Sequence, residues 1–285
     1  MEVFPMKFLS TSLAALAIAF AACGTQPAQQ AQPQEWGQSV SEGHKESQRI
    51  RGMSDEEEFK EGLELDAAIK DPARAKEVGI TISIVKNPAV TNFVNNIGQR
   101  LALTSSRRNI QYTFQVVDSE EVNAFATLGG FVYVNKGLIK IAENEAQLAG
   151  VIAHEIAHVA NRHVVEALAR QAEIQGWQKG AGRVGGTLLG VFSAVVFQLP
   201  KSRSAEFEAD NAGFLNVRAG GYVPDEMIRF YENVLLKMGS GGNKILSTHP
   251  DTRHRIQALQ RIRRASDSTG AGDDASAYQR ATSSL

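Results

Sequence analysis

The chain has 285 residues, 43% hydrophobic and 21% charged, a balance that fits a folded domain and excludes a disordered polymer. A formal net charge of −1 excludes a global field that would draw it to nucleic acid. The single cysteine, Cys23, excludes an internal disulfide framework and leaves any metal to other ligands.

Met6-Lys7 opens a charged start, Phe8 to Ala22 is apolar, and Ala21-Ala22-Cys23-Gly24 supplies small residues at a cleavage point. That is the pattern of a signal peptide over 1–23, too short for the roughly 20 residues a helix needs to span a bilayer. Its ending resembles the lipobox of bacterial lipoproteins, with Phe20 where Leu is usual, which implies lipidation of Cys23. Met1 to Pro5 lacks Lys and Arg, so Met6 is the expected start. From Thr25 to Val40 the chain is rich in Gln, Ala and Pro, and a flexible tether is expected over 24–50. The domain is expected over 51–265, followed by a polar, disordered tail over 266–285.

Ser54-Asp55-Glu56-Glu57 predicts a capped helix to about Lys70. Pro88 starts a second helix, with Val90, Val94, Ile97 and Leu101 at helical spacing. Tyr112, Phe114 and Val116 alternate as a half-buried strand. Val122 to Leu128 and Phe131 to Val134 follow as strands around Gly129-Gly130. Asn144 caps a long helix through Arg162, and further helices are expected over 164–178, 204–219, 225–238 and 251–264. Helices, then a small sheet, then helices again predict an α+β fold. The apolar stretch Val184 to Leu199 is interrupted by Gly185, Gly186 and Gly190, and predicts a buried or half-exposed helix near the active site, not a membrane span.

His154-Glu155-Ile156-Ala157-His158 lies inside the long helix. Residues four apart share a helix face, so both imidazoles can hold one ion. Glu155 sits about 100° around the helix, where it can reach a coordinated water without displacing it. A catalytic zinc needs a third protein ligand and keeps a fourth position for water. His163 falls five residues past His158 and turns about 140° away, so it is assigned with His254 to packing or the surface. Glu206 and Asp210 share a face of a later helix while Glu208 points elsewhere. One of the pair can bind the metal while the other accepts a hydrogen bond from a ligand histidine.

The run Gly150 to His163 resembles the zinc peptidase family of the CAAX prenyl proteases and HtpX, in its soluble, lipid-anchored envelope branch. The resemblance implies a mostly helical, zincin-like (gluzincin) domain with one zinc per chain on His154, His158 and Glu206, and Asp210 as supporting group. Arg203, Glu206 and Asp210 match the family's Arg-Glu-Asp pattern. Asn123-Ala124-Phe125-Ala126, then Gly129 to Val134, resembles the family's edge strand beside the cleft, the expected substrate-binding segment. Thr248-His249-Pro250 with Arg255 resembles its late His-Pro motif. His249 is read either as an oxyanion donor or as a fourth zinc ligand that shuts the resting enzyme. Arg255 is the one arginine of its helix expected to face the cleft.

The expected function is hydrolysis of internal peptide bonds, with Glu155 as base and substrate paired along the Asn123 strand. Expected substrates are misfolded or misassembled envelope proteins. Gly24 in place of Asp after the cysteine resembles enteric lipoproteins, which implies the periplasmic side of the outer membrane in a host with two membranes. Outer-membrane assembly machinery is the expected partner. Two rivals stand beside this reading: an envelope chaperone or assembly factor with a latent zinc site, and a zinc-binding structural lipoprotein.

Overall fold

The computed structural model describes residues 33–74, 79–180, 195–196, 201–238 and 244–285. The chain starts with α1 (Pro33–Arg51), α2 (Asp55–Lys70) and α3 (Pro88–Ala102). A three-stranded sheet follows, β1 (Thr113–Val117), β2 (Ala124–Ala126) and β3 (Phe131–Asn135). The rest is helical: α4 (Lys136–Ile141), α5 (Glu145–Ala160), α6 (His163–Gly180), α7 (Arg203–Ala219) and α8 (Asp225–Met238). The short α9 (Lys244–Thr248), then α10 (Thr252–Ile262) and α11 (Ala275–Thr282), complete it. The fold is therefore α+β, mostly helical and zincin-like, as the sequence predicts.

Local chemistry sets several helix starts. Ser54 accepts from the Glu57 amide while Glu57 accepts from the Ser54 amide, a closed capping box that satisfies two otherwise open donors. Asn87 with Pro88, Asn144 and Ser202 cap α3, α5 and α7 through side-chain oxygens.

In the sheet the order is β1-β3-β2, with β1 parallel and β2 antiparallel to β3. Helices cover both faces, so every residue of β3 is buried. Val132 and Val134 face a core shared with α3, α5, α7 and α8, while Phe131 and Tyr133 face a second core with α1, α2 and α6. Gly129 (φ 68) and Gly130 (φ 90) turn β2 into β3, and a Cβ on Gly130 would lie 2.1 Å from the Gln111 carbonyl oxygen. β2 is left at the sheet edge and packs against α5.

Two expected boundaries are corrected. Within the expected tether, 33–50 is helical: α1 lies along α6, where a Cβ on Gly43 would come 2.7 Å from the Gly176 Cα. Backbones that approach so closely bury surface without a stripe of large apolar residues, which composition alone does not register. The expected disordered tail holds α11, anchored by Tyr278, which is buried and donates to the Ile139 carbonyl at 2.7 Å. Cys23 and the expected signal segment lie outside the described residues, as does 184–199 apart from Val195 and Val196, which are helical and buried. Among the described residues no helix is long and apolar enough to cross a membrane.

Tyr278→Ala is expected to lower unfolding free energy by about 3 kcal/mol or more, measured in urea, because it empties a buried aromatic site. A tail that contributed nothing would leave the midpoint unchanged.

Candidate metal centre

α5 presents His154 and His158 one turn apart, both buried. α7 crosses α5 at Gly213, where a Cβ would lie 3.0 Å from the His154 amide nitrogen, and this contact brings Glu206 and Asp210 onto the histidines. The segment after α9 delivers His249. Four ligating atoms, one each from His154, His158, Glu206 and His249, lie within 4.8 Å of one another.

The separations are chemically specific. His158 Nε2 is 3.0 Å from His154 Nε2, which is 3.2 Å from His249 Nδ1. Glu206 places Oε1 at 3.3 Å from His158 Nε2, and Oε2 at 3.5 Å from His154 Nε2 and 3.1 Å from His249 Nδ1. Donors about 2.0–2.1 Å from a tetrahedral ion stand roughly 3.3 Å apart, so this set fits one divalent metal. Among the described residues, Glu206 Oε1 and Glu155 Oε2 are buried with no hydrogen-bond partner, which fits carboxylates that serve an ion and its water.

Behind the donors sits a buried network. His154 Nδ1 is 2.9 Å from Asp210 Oδ1, the arrangement that fixes a ligand tautomer and leaves Nε2 free. Arg255 then bridges both carboxylates, with Nη1 2.7 Å from Glu206 Oε2 and Nε 2.6 Å from Asp210 Oδ2. It also donates to Tyr231 Oη at 2.9 Å and to the His249 carbonyl at 3.3 Å. Burial opposes charge on Asp210, yet Arg255 and His154 hold it below the usual carboxylate range. Burial likewise opposes charge on Glu206, but His249, His154 and His158 hold it well below the usual carboxylate range. On His154 burial opposes the proton too, and Asp210 with Glu206 raises it to about 9 in the metal-free protein. Burial and then Lys201 push His158 and His249 down, towards the neutral form that ligates.

Residues 88–263 match the model of peptidase family M48. The chain belongs to that family. M48 includes the CAAX prenyl proteases and HtpX, in agreement with the resemblance carried by HExxH and ExxxD. Its metallopeptidase domain holds the whole four-donor set. Among similar proteins, the β-barrel assembly-enhancing protease of Escherichia coli (strain K12) is 29% identical over 191 residues, 61% of this chain and 39% of that protein. The mitochondrial metalloendopeptidase OMA1 of Arabidopsis thaliana is 33% identical over 159 residues, 55% of this chain and 33% of that protein. OMA1 of Schizosaccharomyces pombe is 28% identical over 175 residues, 60% and 52% respectively. The chain thus spans about a third to a half of the length of these M48 relatives.

The remaining expected residues fall as follows. Glu155 is buried beside the donors, with Oε1 3.6 Å from His249 Nε2. Ala124, Phe125 and Ala126 form β2, with Asn123 immediately before it, and Ala126 lines a cavity of about 630 Å³ shared with His163, Lys201 and Glu208. Arg255 faces the site, while Arg203 is largely exposed and 3.7 Å from Asp251. Sequence reasoning missed Tyr231, Lys201 and, above all, His163. Its ring Nδ1 is 2.7 Å from His158 Nδ1, and its Nε2 is 3.3 Å from Glu208 Oε2. The 140° estimate assumed a continuous helix, whereas Arg162 takes a left-handed conformation (φ 54) and sends the chain back. Asn161 is a residue type that often ends helices, but without a glycine the sequence does not mark the left-handed turn at Arg162. The guanidinium of Arg162, held by the Met53 carbonyl at 2.8 Å and Glu58 at 3.2 Å, stabilises it.

Arg255→Ala is expected to destabilise the metal-free protein by about 3–5 kcal/mol in urea unfolding, because two buried carboxylates lose their counter-charge. Arg255→Lys is expected to recover only part of that, since an ammonium cannot match the fork that serves both carboxylates.

Proposed function

We propose that the chain is a zinc-dependent endopeptidase of the bacterial cell envelope that cleaves internal peptide bonds of misfolded or misassembled proteins. The observation that carries this reading is the buried His154–His158–Glu206 donor set with Glu155 alongside. Two imidazoles and one carboxylate are the ligand set of a catalytic zinc. The chemistry supplied at that position by zinc is polarisation of a carbonyl and acidification of water.

In this mechanism Glu155 takes the proton of the attacking water and later returns it to the leaving amine. Its partnerless Oε2 has lone pairs available for that task. Asp210 and Arg255 hold His154 and Glu206 in place throughout. Asn123, Ala124, Phe125 and Ala126 provide the edge along which an extended substrate adds as a strand, and backbone pairing makes selectivity for sequence loose. The names of the Escherichia coli and OMA1 relatives support protease action, and the former supports a setting near outer-membrane assembly. Cys23 would carry the lipid that holds the protein at the outer membrane, facing the periplasm.

A second reading is a latent enzyme whose main work is as a chaperone or assembly factor. It is favoured by His249, whose Nδ1 completes a four-donor set of the kind that closes a site to water. We assign His249 to this resting ligand role, which reconciles the two readings: release of His249 opens the position that water needs.

Digestion of casein by the full chain tests the proposal. With zinc, cleavage is expected; with a chelator it is lost; with Glu155→Gln it falls about 10²–10⁴-fold while zinc stays bound. Cleavage that survives Glu155→Gln would overturn the assignment of the base. For His249→Ala the expectation is faster cleavage, and X-ray absorption at the zinc edge should show two imidazoles in place of three. Three imidazoles in both proteins would remove His249 from the ligand set.

A further inference from the structure

We propose that His163 and Glu208 form a positioning relay for His158, in which His158 Nδ1–H donates to His163 Nδ1 and His163 Nε2–H donates to Glu208. The inference rests on the metal-centre reading above and names two residues that reading does not use.

The proton inventory leaves one consistent assignment. His158 Nε2 points into the donor cluster, 3.0 Å from His154 Nε2 and 3.3 Å from Glu206 Oε1. To ligate, that nitrogen presents its lone pair, so the proton of the neutral ring sits on Nδ1. The atom 2.7 Å away is His163 Nδ1, and two ring nitrogens bond only if one donates and the other accepts. His163 accepts, its own proton moves to Nε2, and the group 3.3 Å from Nε2 is the Glu208 carboxylate. A carboxylate therefore ends the chain, as Asp210 does directly for His154. α7 supplies both anchors, two residues apart: Asp210 inside the core and Glu208 at the surface. The turn at Arg162 swings His163 into this position. A histidine kept for packing alone would place no demand on where its ring nitrogens lie.

Such outer partners fix a ligand's tautomer and orientation, and their loss weakens metal binding by about 10–100-fold. The test is zinc affinity of the full chain by competition with a chelator, with the circular dichroism of each variant as a folding check. His163→Phe keeps ring volume and removes both nitrogens, so a loss of about 10–100-fold is expected. His163→Gln restores an acceptor and should recover most of that loss. Glu208→Ala should weaken binding less than His163→Phe, and the double variant should bind no more weakly than His163→Phe alone. Nitrogen-15 spectra of the zinc-loaded protein should show His158 protonated at Nδ1. Unchanged affinity in His163→Phe, equal losses in Phe and Gln variants, or additive losses would each overturn the relay. Should His163→Phe fail to fold, Glu208→Ala decides alone: its side chain is 63% exposed, so unchanged affinity there would overturn the relay. A wild-type chain that holds no zinc would instead overturn the metal reading, and this inference with it.

Discussion

Glu206 and Asp210 stand one turn apart on α7, and both are buried almost completely. Two carboxylates in that position repel each other and lose their hydration, so neither would stay ionised without compensation. Arg255 supplies it from α10, with a fork that takes Asp210 on two nitrogens and Glu206 on the third. The histidines gain from this charge balance. Asp210 stays ionised and accepts from His154, and Glu206 stays ionised and faces the donor cluster. The same guanidinium donates to the His249 carbonyl, so the loop that delivers the fourth donor hangs on the ion network. Removing Arg255 would disturb Glu206, the His249 loop and, through Asp210, His154 at once.

Helix packing converts that charge pattern into geometry. Gly213 lies against the His154 amide, and Gly150 lies against Met227, where a Cβ would come 2.7 Å from the Met227 Cβ. These contacts press α5 between α7 and α8. A larger residue at 213 would push α7 outward and lengthen the distance from Glu206 to the imidazoles, although nothing about the ligands themselves had changed. Metal sites tolerate such displacement poorly, because ligand distances are held within about 0.2 Å.

Much of this was legible in the sequence, and the reason differs between residues. HExxH and the later ExxxD could be read because their spacing matches the helical repeat, and each motif sits inside a regular helix. The strands around Gly129-Gly130 could be read because alternation and turn glycines are local signals. α1 was hidden because its packing relies on Gly43 meeting Gly176 from a distant helix, and a glycine carries no apolar signature. α11 was hidden because a single buried Tyr278 anchors it within a polar run. His163 was hidden by one residue, Arg162, whose positive φ is held by contacts to Glu58 and Met53 far away in the chain. Local periodicity predicts side-chain direction only while the helix continues, and tertiary contacts decide where it stops.

α6 joins these separate observations. On one side it receives α1, through the glycine contact and through Arg51, which binds Glu166 at 2.9 and 3.0 Å and Glu173 at 3.1 Å. Glu166, Ala167 and Ile174 of the same helix line the cavity that reaches Ala126 of the edge strand, Lys201 and His163. Glu166 thus belongs to both surfaces. Exposed ion pairs of this kind contribute little singly, about 0.2–1 kcal/mol each, but three contacts to one arginine fix its place well. α1 therefore packs on the helix that forms one wall of this cavity.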